Sequence, residues 1–291
     1  MNITKNFRVW MMLSLGLPTF TGCISFGGKA VPPLPEARTG ADNTRPLTAR
    51  EISDKALEAE KRRESKTAAG IVFTFQRKVV INEVKGKKKR LKTRTYQSFS
   101  DHRDPVLFLI DGKKPTLEQV EKERKEIRKH QIKIMGSGES KDDPEHEGDA
   151  NLMVRNIEKH RDKFIPHLIG TETVNGRPAY ILQFLHDPEK RFKEAMANEV
   201  LKHVLIKIWI DQKEFQVAKA EVVLANPLHV IGGLVATVTT FKLTAYQKRL
   251  TPEIWTDHRV TTFIEGRVLW TPHTITFSSE SSDFQPLPKD D

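Results

Sequence analysis

The sequence predicts an α+β fold: a large antiparallel sheet with helices packed against it. Three observations point there. Apolar and polar residues alternate in several segments between residues 71 and 281, the period of strands with one buried face. Short turn signals join these segments, which favours hairpins over parallel βαβ crossovers. Two other stretches, 48–66 and 116–135, carry apolar residues at helical spacing instead. The chain has 291 residues, 37% of them hydrophobic, enough for one large domain or two small ones with a real core.

The first helix opens at Thr48-Ala49-Arg50-Glu51, a capping-box pattern. Ile52, Ala56 and Ala59 share one face with Leu57 beside them, a stripe thin enough to require a larger body beneath it. In IVFTFQRKVVI (71–81) the period changes to strand alternation. Val84-Lys85-Gly86-Lys87 is a turn, and LKTRTYQSFS is the partner strand of a hairpin. PVLFLID (105–111) is a third strand, ended by the Asp111-Gly112 turn.

The second helix, TLEQVEKERKEIRKHQIKIM (116–135), places Leu117, Val120, Ile127 and Ile134 in a stripe. Residues 136–150 are polar, and NLMVRNIEKHRDKF (151–164) is again helical in pattern. HLIGTETV and PAYILQFL then flank Asn175-Gly176, the strongest short hairpin signal in the chain. RFKEAMANEVLKHV holds a short helix. LIKIWI runs through Asp211-Gln212 into FQVAKAEVVL, a second hairpin-like pair. VATVTTFKLTAYQKRL, a strand around HRVTTFIEG, and VLWTPHTITFSSES complete the sheet. The expected total is about nine or ten strands and four helices. Phe73, Phe75, Phe184, Trp209, Phe241 and Trp270 are expected in the core.

The N-terminus carries a second message. Lys5 and Arg8 precede an apolar run, Val9 to Phe20, and Thr21-Gly22 lead into Cys23, the only cysteine in the chain. This resembles the bacterial lipoprotein signal, with Phe20 standing where leucine is usual. The resemblance implies cleavage before Cys23 and acylation of that residue. It also implies a bacterial envelope location and, since residue 24 is Ile rather than Asp, delivery to the outer membrane with the folded part in the periplasm. Several acyl chains hold firmly, at ~0.8 kcal/mol per buried methylene. The domain plan is thus a signal at 1–22, an anchor and Gly/Pro/Ala-rich tether at 23–46, and a folded domain at 47–287. Loss of Lys5 and Arg8 lowers the net charge from +10 to +8.

GTETVNGRPAYILQF, IWIDQKEFQVAKAEVV and a TAREI helix before a strand containing FTFQR together resemble outer-membrane lipoprotein carriers of the LolA/LolB type. The resemblance covers residues 48–285 as an order of elements, with a charged helical insertion at 113–163 that the characterised carriers lack. It implies a strongly curved antiparallel sheet, an open half-barrel, with helices covering the concave face. It also implies a cleft that binds acyl chains.

Chemistry-bearing clusters are few. Lys85, Lys87, Lys88, Lys89 and Arg90, with Lys92 and Arg94, make a basic hairpin. They are candidates for contact with anionic headgroups, or a solvated tip. No aromatic residues interleave with this run as nucleic-acid stacking platforms. The ten histidines show no ligand pairing, and 142–147 (DDPEHE) lacks the phasing of a calcium loop, so neither metal nor cofactor is expected. Gly136-Ser137-Gly138 is not a nucleophile elbow. No catalytic residues are assigned. PLHVIGGLVATV (227–238) reads equally as a lipid-facing surface and as a loop entering a buried strand. Two functions remain: a non-enzymatic module binding a lipid, acyl chain or lipoprotein in an apolar cleft, or a periplasmic interaction or sensor subunit with a filled cleft that docks a protein.

Overall fold

The computed structural model describes residues 45–67, 72–100, 105–135, 161–190, 200–230, 235–252 and 254–287. The signal, Cys23 and most of the tether lie outside them, as do 136–160 and Gly232-Gly233. Eleven strands form one antiparallel sheet. They are β1 (Phe73–Lys85), β2 (Lys88–Phe99), β3 (Val106–Ile110), β4 (Phe164–Val174), β5 (Arg177–His186), β6 (Val204–Asp211), β7 (Val217–Leu224), β8 (Leu228–Val230), β9 (Ala236–Arg249), β10 (Trp255–Val268) and β11 (Thr271–Pro286). Their order is β3-β2-β1-β11-β10-β9-β7-β6-β5-β4, with β8 paired to β9. The first and last strands pair inside the sheet, Phe73 opposite Pro286, so the strands nearest the two chain ends lie side by side.

Two α-helices are described, α1 (Ala49–Thr67) and α2 (Leu117–Met135). A short 3₁₀ turn at Arg161–Lys163 is the described part of the third expected helix. Of the short helix expected in 191–204, the described residues include its end at Val200–Leu201. The capping box at α1 is reciprocal. The Glu51 amide donates to Thr48 Oγ1 at 3.2 Å, and the Thr48 amide donates to Glu51 Oε2 at 2.8 Å. The Thr48 amide, followed by its hydroxyl, holds the Glu51 carboxyl below its usual range.

Local turn chemistry explains the hairpins. Asn175 and Gly176 both have positive φ, 51° and 77°, the type I′ geometry that matches strand twist. Gly86 turns β1 into β2. At Leu269 (φ 55°) the expectation failed. VLWTPHTITFSSES is not one strand: Val268 ends β10 and Thr271 begins β11. A leucine in left-handed conformation carries no turn signal.

The main core lies on one face of the sheet. Ile52, fully buried at 0% exposure, joins Ala56 and Leu57 of α1 against Leu182, Phe184, Ile206, Ile208 and Val222 of β5–β7. The thin stripe of α1 therefore rests on the sheet as its spacing required. The Gln216 side chain donates to the Ala59 carbonyl at 3.1 Å and fastens the helix to the start of β7. On the opposite face a smaller cluster gathers Val174, Ala179, Trp209, Ala218 and Trp255.

Two expectations about packing need correction. Trp270 is not a core residue: it is 82% exposed at the β10–β11 turn, whereas Phe75, Phe184 and Trp209 are buried. Leu117 is 87% exposed and takes no part in an apolar stripe. Among the described side chains of α2 Glu123 is buried, held by Arg94 and by the Tyr96 hydroxyl at 2.8 Å. Glu123 thus ties that helix to β2 by a charge-assisted contact.

Candidate functional site

Strand pairing places one lateral row of side chains on the helix-bearing face: Leu168, Leu182, Ile208, Ala220, Ala245, Val260, Ser279, Val79, Arg94 and Ile110. The row begins under α1, among the large aliphatic residues of the core. It passes through two buried alanines. It ends at Arg94, the residue that grips Glu123 of α2. Between the two helices the side chains are small or short, and there the surface dips into a groove of about 190 Å³.

The groove lies over β1, β10 and β11. Val79, Val260 and Phe277 form its apolar wall, and Arg77, Asp257, Ser279 and Ser281 its polar side. Asp257, Ser279 and Ser281 are buried. Ser281 and Tyr96 flank Arg77 in register, and the guanidinium sits 5.4 Å from the centre of the Phe75 ring. Arg77 Nε is sealed from solvent and meets no hydrogen-bond acceptor among the described residues. A sealed donor without an acceptor costs about 1–3 kcal/mol. His258 lies at the rim, its Nδ1 3.1 Å from the Ser281 carbonyl oxygen.

Two polar networks lie outside the groove. Burial pushes the Tyr96 phenol up to about 12, with the Glu123 carboxylate adding to it. At the far end of the sheet Arg177 pairs with Asp211 and reaches Glu214 at 3.2 Å. Glu214 in turn accepts from Arg249 and from the Trp255 indole, each at 3.0 Å. This ladder ties three hairpin ends together. The sequence reading took Asp211 only as a turn former. No grouping of three or more His, Cys, Asp or Glu among the described residues could hold a metal ion. No described helix is long and apolar enough to cross a membrane.

The basic residues expected as a surface are together but apart from the groove. Lys87, Lys88, Lys89 and Arg90 are exposed and Lys85 is half-buried at the β1–β2 tip. Val79, in the groove, lies six residues up the strand from Lys85, about 20 Å away. Cys23 lies outside the described residues. The groove residues Arg77, Asp257 and Ser281 went unnoticed in the sequence because only the pairing of the first strand with the last brings them together.

No protein-family model matches the chain, and no curated protein matches it. Its structural neighbours are LolA-like in fold at low identity. It is similar to a LolA superfamily protein from Nitrosomonas europaea, at 14% identity and a TM-score of 0.29, covering 84% of this chain and 96% of that one. It is also similar to a DUF1329 family protein from Desulfovibrio piger, at 13% identity and a TM-score of 0.32, covering 84% and 95%. A third is the lipoprotein LppX of Mycobacterium tuberculosis, at 12% identity and a TM-score of 0.26, covering 81% and 100%. Overlaps this loose transfer nothing to the groove residues.

Proposed function

We propose that this chain is a non-enzymatic envelope lipoprotein, tethered to the outer membrane by acylated Cys23, whose folded domain binds the acyl part of a lipid or lipoprotein. In this reading the sheet curves into an open half-barrel, and the groove between α1 and α2 is the receiving end of its concave face. The observation that carries it is the groove itself: an apolar wall of Val79, Val260 and Phe277 with Arg77 among the polar residues that line it. Such a pairing suits an amphiphile, with its chain on the wall and an anionic oxygen at the arginine. At about 190 Å³ the groove lies below the roughly 300–1,000 Å³ of a pocket that encloses a whole small molecule. It therefore takes one end of a chain rather than an entire lipid.

Native mass spectrometry of the chain beginning at residue 24 tests this. A co-purifying acyl species is the expected result; a bare mass across independent preparations contradicts it.

A second reading is favoured by the way α1 fills its half of the face with Ile52 and Leu57. Here the cleft is closed by the protein's own side chains and the domain docks a protein partner. The bare mass would then be joined by a cross-linked envelope protein.

A further inference from the structure

We infer that the paired tips of the β1–β2 and β10–β11 hairpins dock end-on against an anionic lipid bilayer. Pairing of β1 with β11 sets the two tips side by side, with Lys85 opposite His273. The Gly86 amide donates to the Pro272 carbonyl at 2.9 Å. Behind the tips the buried His273 Nε2 lies 3.0 Å from Glu83 Oε1. At the second tip the Leu269 amide donates to the Val235 carbonyl at 2.8 Å, and Arg267 donates to the Leu269 carbonyl at 3.2 Å. Two turns are thereby held as one rigid edge.

That edge carries two kinds of group. One is a cluster of cations: Lys85, Lys87, Lys88, Lys89, Arg90 and Arg267. Lys87, Lys88 and Lys89 enter no ion pair among the described residues. The other is an apolar point, Trp270 at 82% exposure with Leu269 at 39% beside it. Tryptophan beside lysine is the pairing suited to a membrane interface, where the indole sits at headgroup level and the ammonium meets phosphate. The arrangement also decides between a plane and a face. Register and alternation put Lys88 and Arg90 on one side of the ribbon and Lys89 on the other. A protein or nucleic acid lying on either side would meet half of them; a plane approached end-on meets them all. This inference stands apart from the groove and survives an empty one.

The test uses the chain beginning at residue 24, which keeps every described residue, with phosphatidylcholine vesicles with or without phosphatidylglycerol. Co-sedimentation with the anionic vesicles alone is expected, weakened by salt. Basic residues near such a surface contribute about fivefold each in partition, so Lys87→Ala/Lys88→Ala/Lys89→Ala together cost about a hundredfold. Trp270→Ala costs about tenfold and removes a blue shift of the indole emission on binding, which the buried Trp209 and Trp255 do not supply. All four positions are exposed, so the thermal midpoint stays within a few degrees. Any of three results overturns the proposal: no anionic preference, binding that survives both variants, or retention on heparin without vesicle binding, which would make the tip a site for polyanionic polymers.

Discussion

Arg177 and Asp211 meet fork to fork, Nε to Oδ2 at 2.6 Å and Nη2 to Oδ1 at 2.9 Å, at a point where the aspartate is only 1% exposed. Asp211 also accepts the amides of Lys213 and Glu214 at 3.0 and 2.7 Å, so one carboxylate closes the β6–β7 turn and anchors the β4–β5 hairpin. Burial works to raise its pKa, but the Arg177 hydrogen bonds and the two amides outweigh that and hold the carboxyl below 3.8.

Removing one partner strands the other. Arg177→Met leaves Asp211 buried with two amide donors, and a broken buried pair costs about 3–5 kcal/mol. The lower end applies here because the Arg177 side chain is 28% exposed. Urea denaturation measures it. The double variant Arg177→Met/Asp211→Asn is expected to lose less than the sum of the two single variants.

Acid dependence follows from two depressed pKa values. Burial lowers the His186 imidazole from 6.5, so the unfolded chain takes up that proton first and stability begins to fall below about pH 6.5. Asp211 adds a further loss below about pH 4, where the unfolded carboxyl protonates before the folded one. Stability measured against pH is expected to show both slopes. His186→Gln flattens the upper one and Asp211→Asn the lower.

Glu123 is the carboxylate that ties α2 to β2. Glu123→Ala is expected to speed amide exchange throughout α2 while leaving α1 and β4–β7 protected. The Tyr96 phenol, held at about 12, should move part of the way back toward 10.0, since burial is the larger cause. Ultraviolet titration of the tyrosines reads this directly.

Gly266 sits at a register shift where β10 meets β9. A Cβ there would lie 2.1 Å from the Thr237 carbonyl oxygen, a backbone atom that cannot swing aside. Gly266→Ala is expected to cost about 1–3 kcal/mol or more, read as a fall in thermal midpoint of roughly 2–4 °C per kcal/mol.

Features fixed by neighbouring residues were legible in the sequence. The Thr48–Glu51 box set the start of α1, and Asn175-Gly176 set a hairpin, because capping and type I′ geometry need only a few residues. The antiparallel sheet was legible for the same reason. Features that depend on distant pairing were not. Nothing local announces that β1 lies beside β11, so the groove that joins Arg77 to Ser281 and Asp257 had no signature. Trp270 read as core because a tryptophan usually is, and the turn that exposes it runs through a leucine. Leu117 was misjudged because helical spacing does not say which side meets the sheet, and Glu123 went unread because only the fold brings Arg94 and Tyr96 across from it.

The central claim is that the groove between the two helices holds the end of an acyl chain, and affinity for a fluorescent fatty acid tests it most directly. Ser279→Trp fills the groove from its floor. The account predicts saturable binding to the chain beginning at residue 24, weakened about tenfold or more by Ser279→Trp with the fold intact by circular dichroism. Absence of binding by the unaltered chain, or equal affinity with the groove filled, would contradict it.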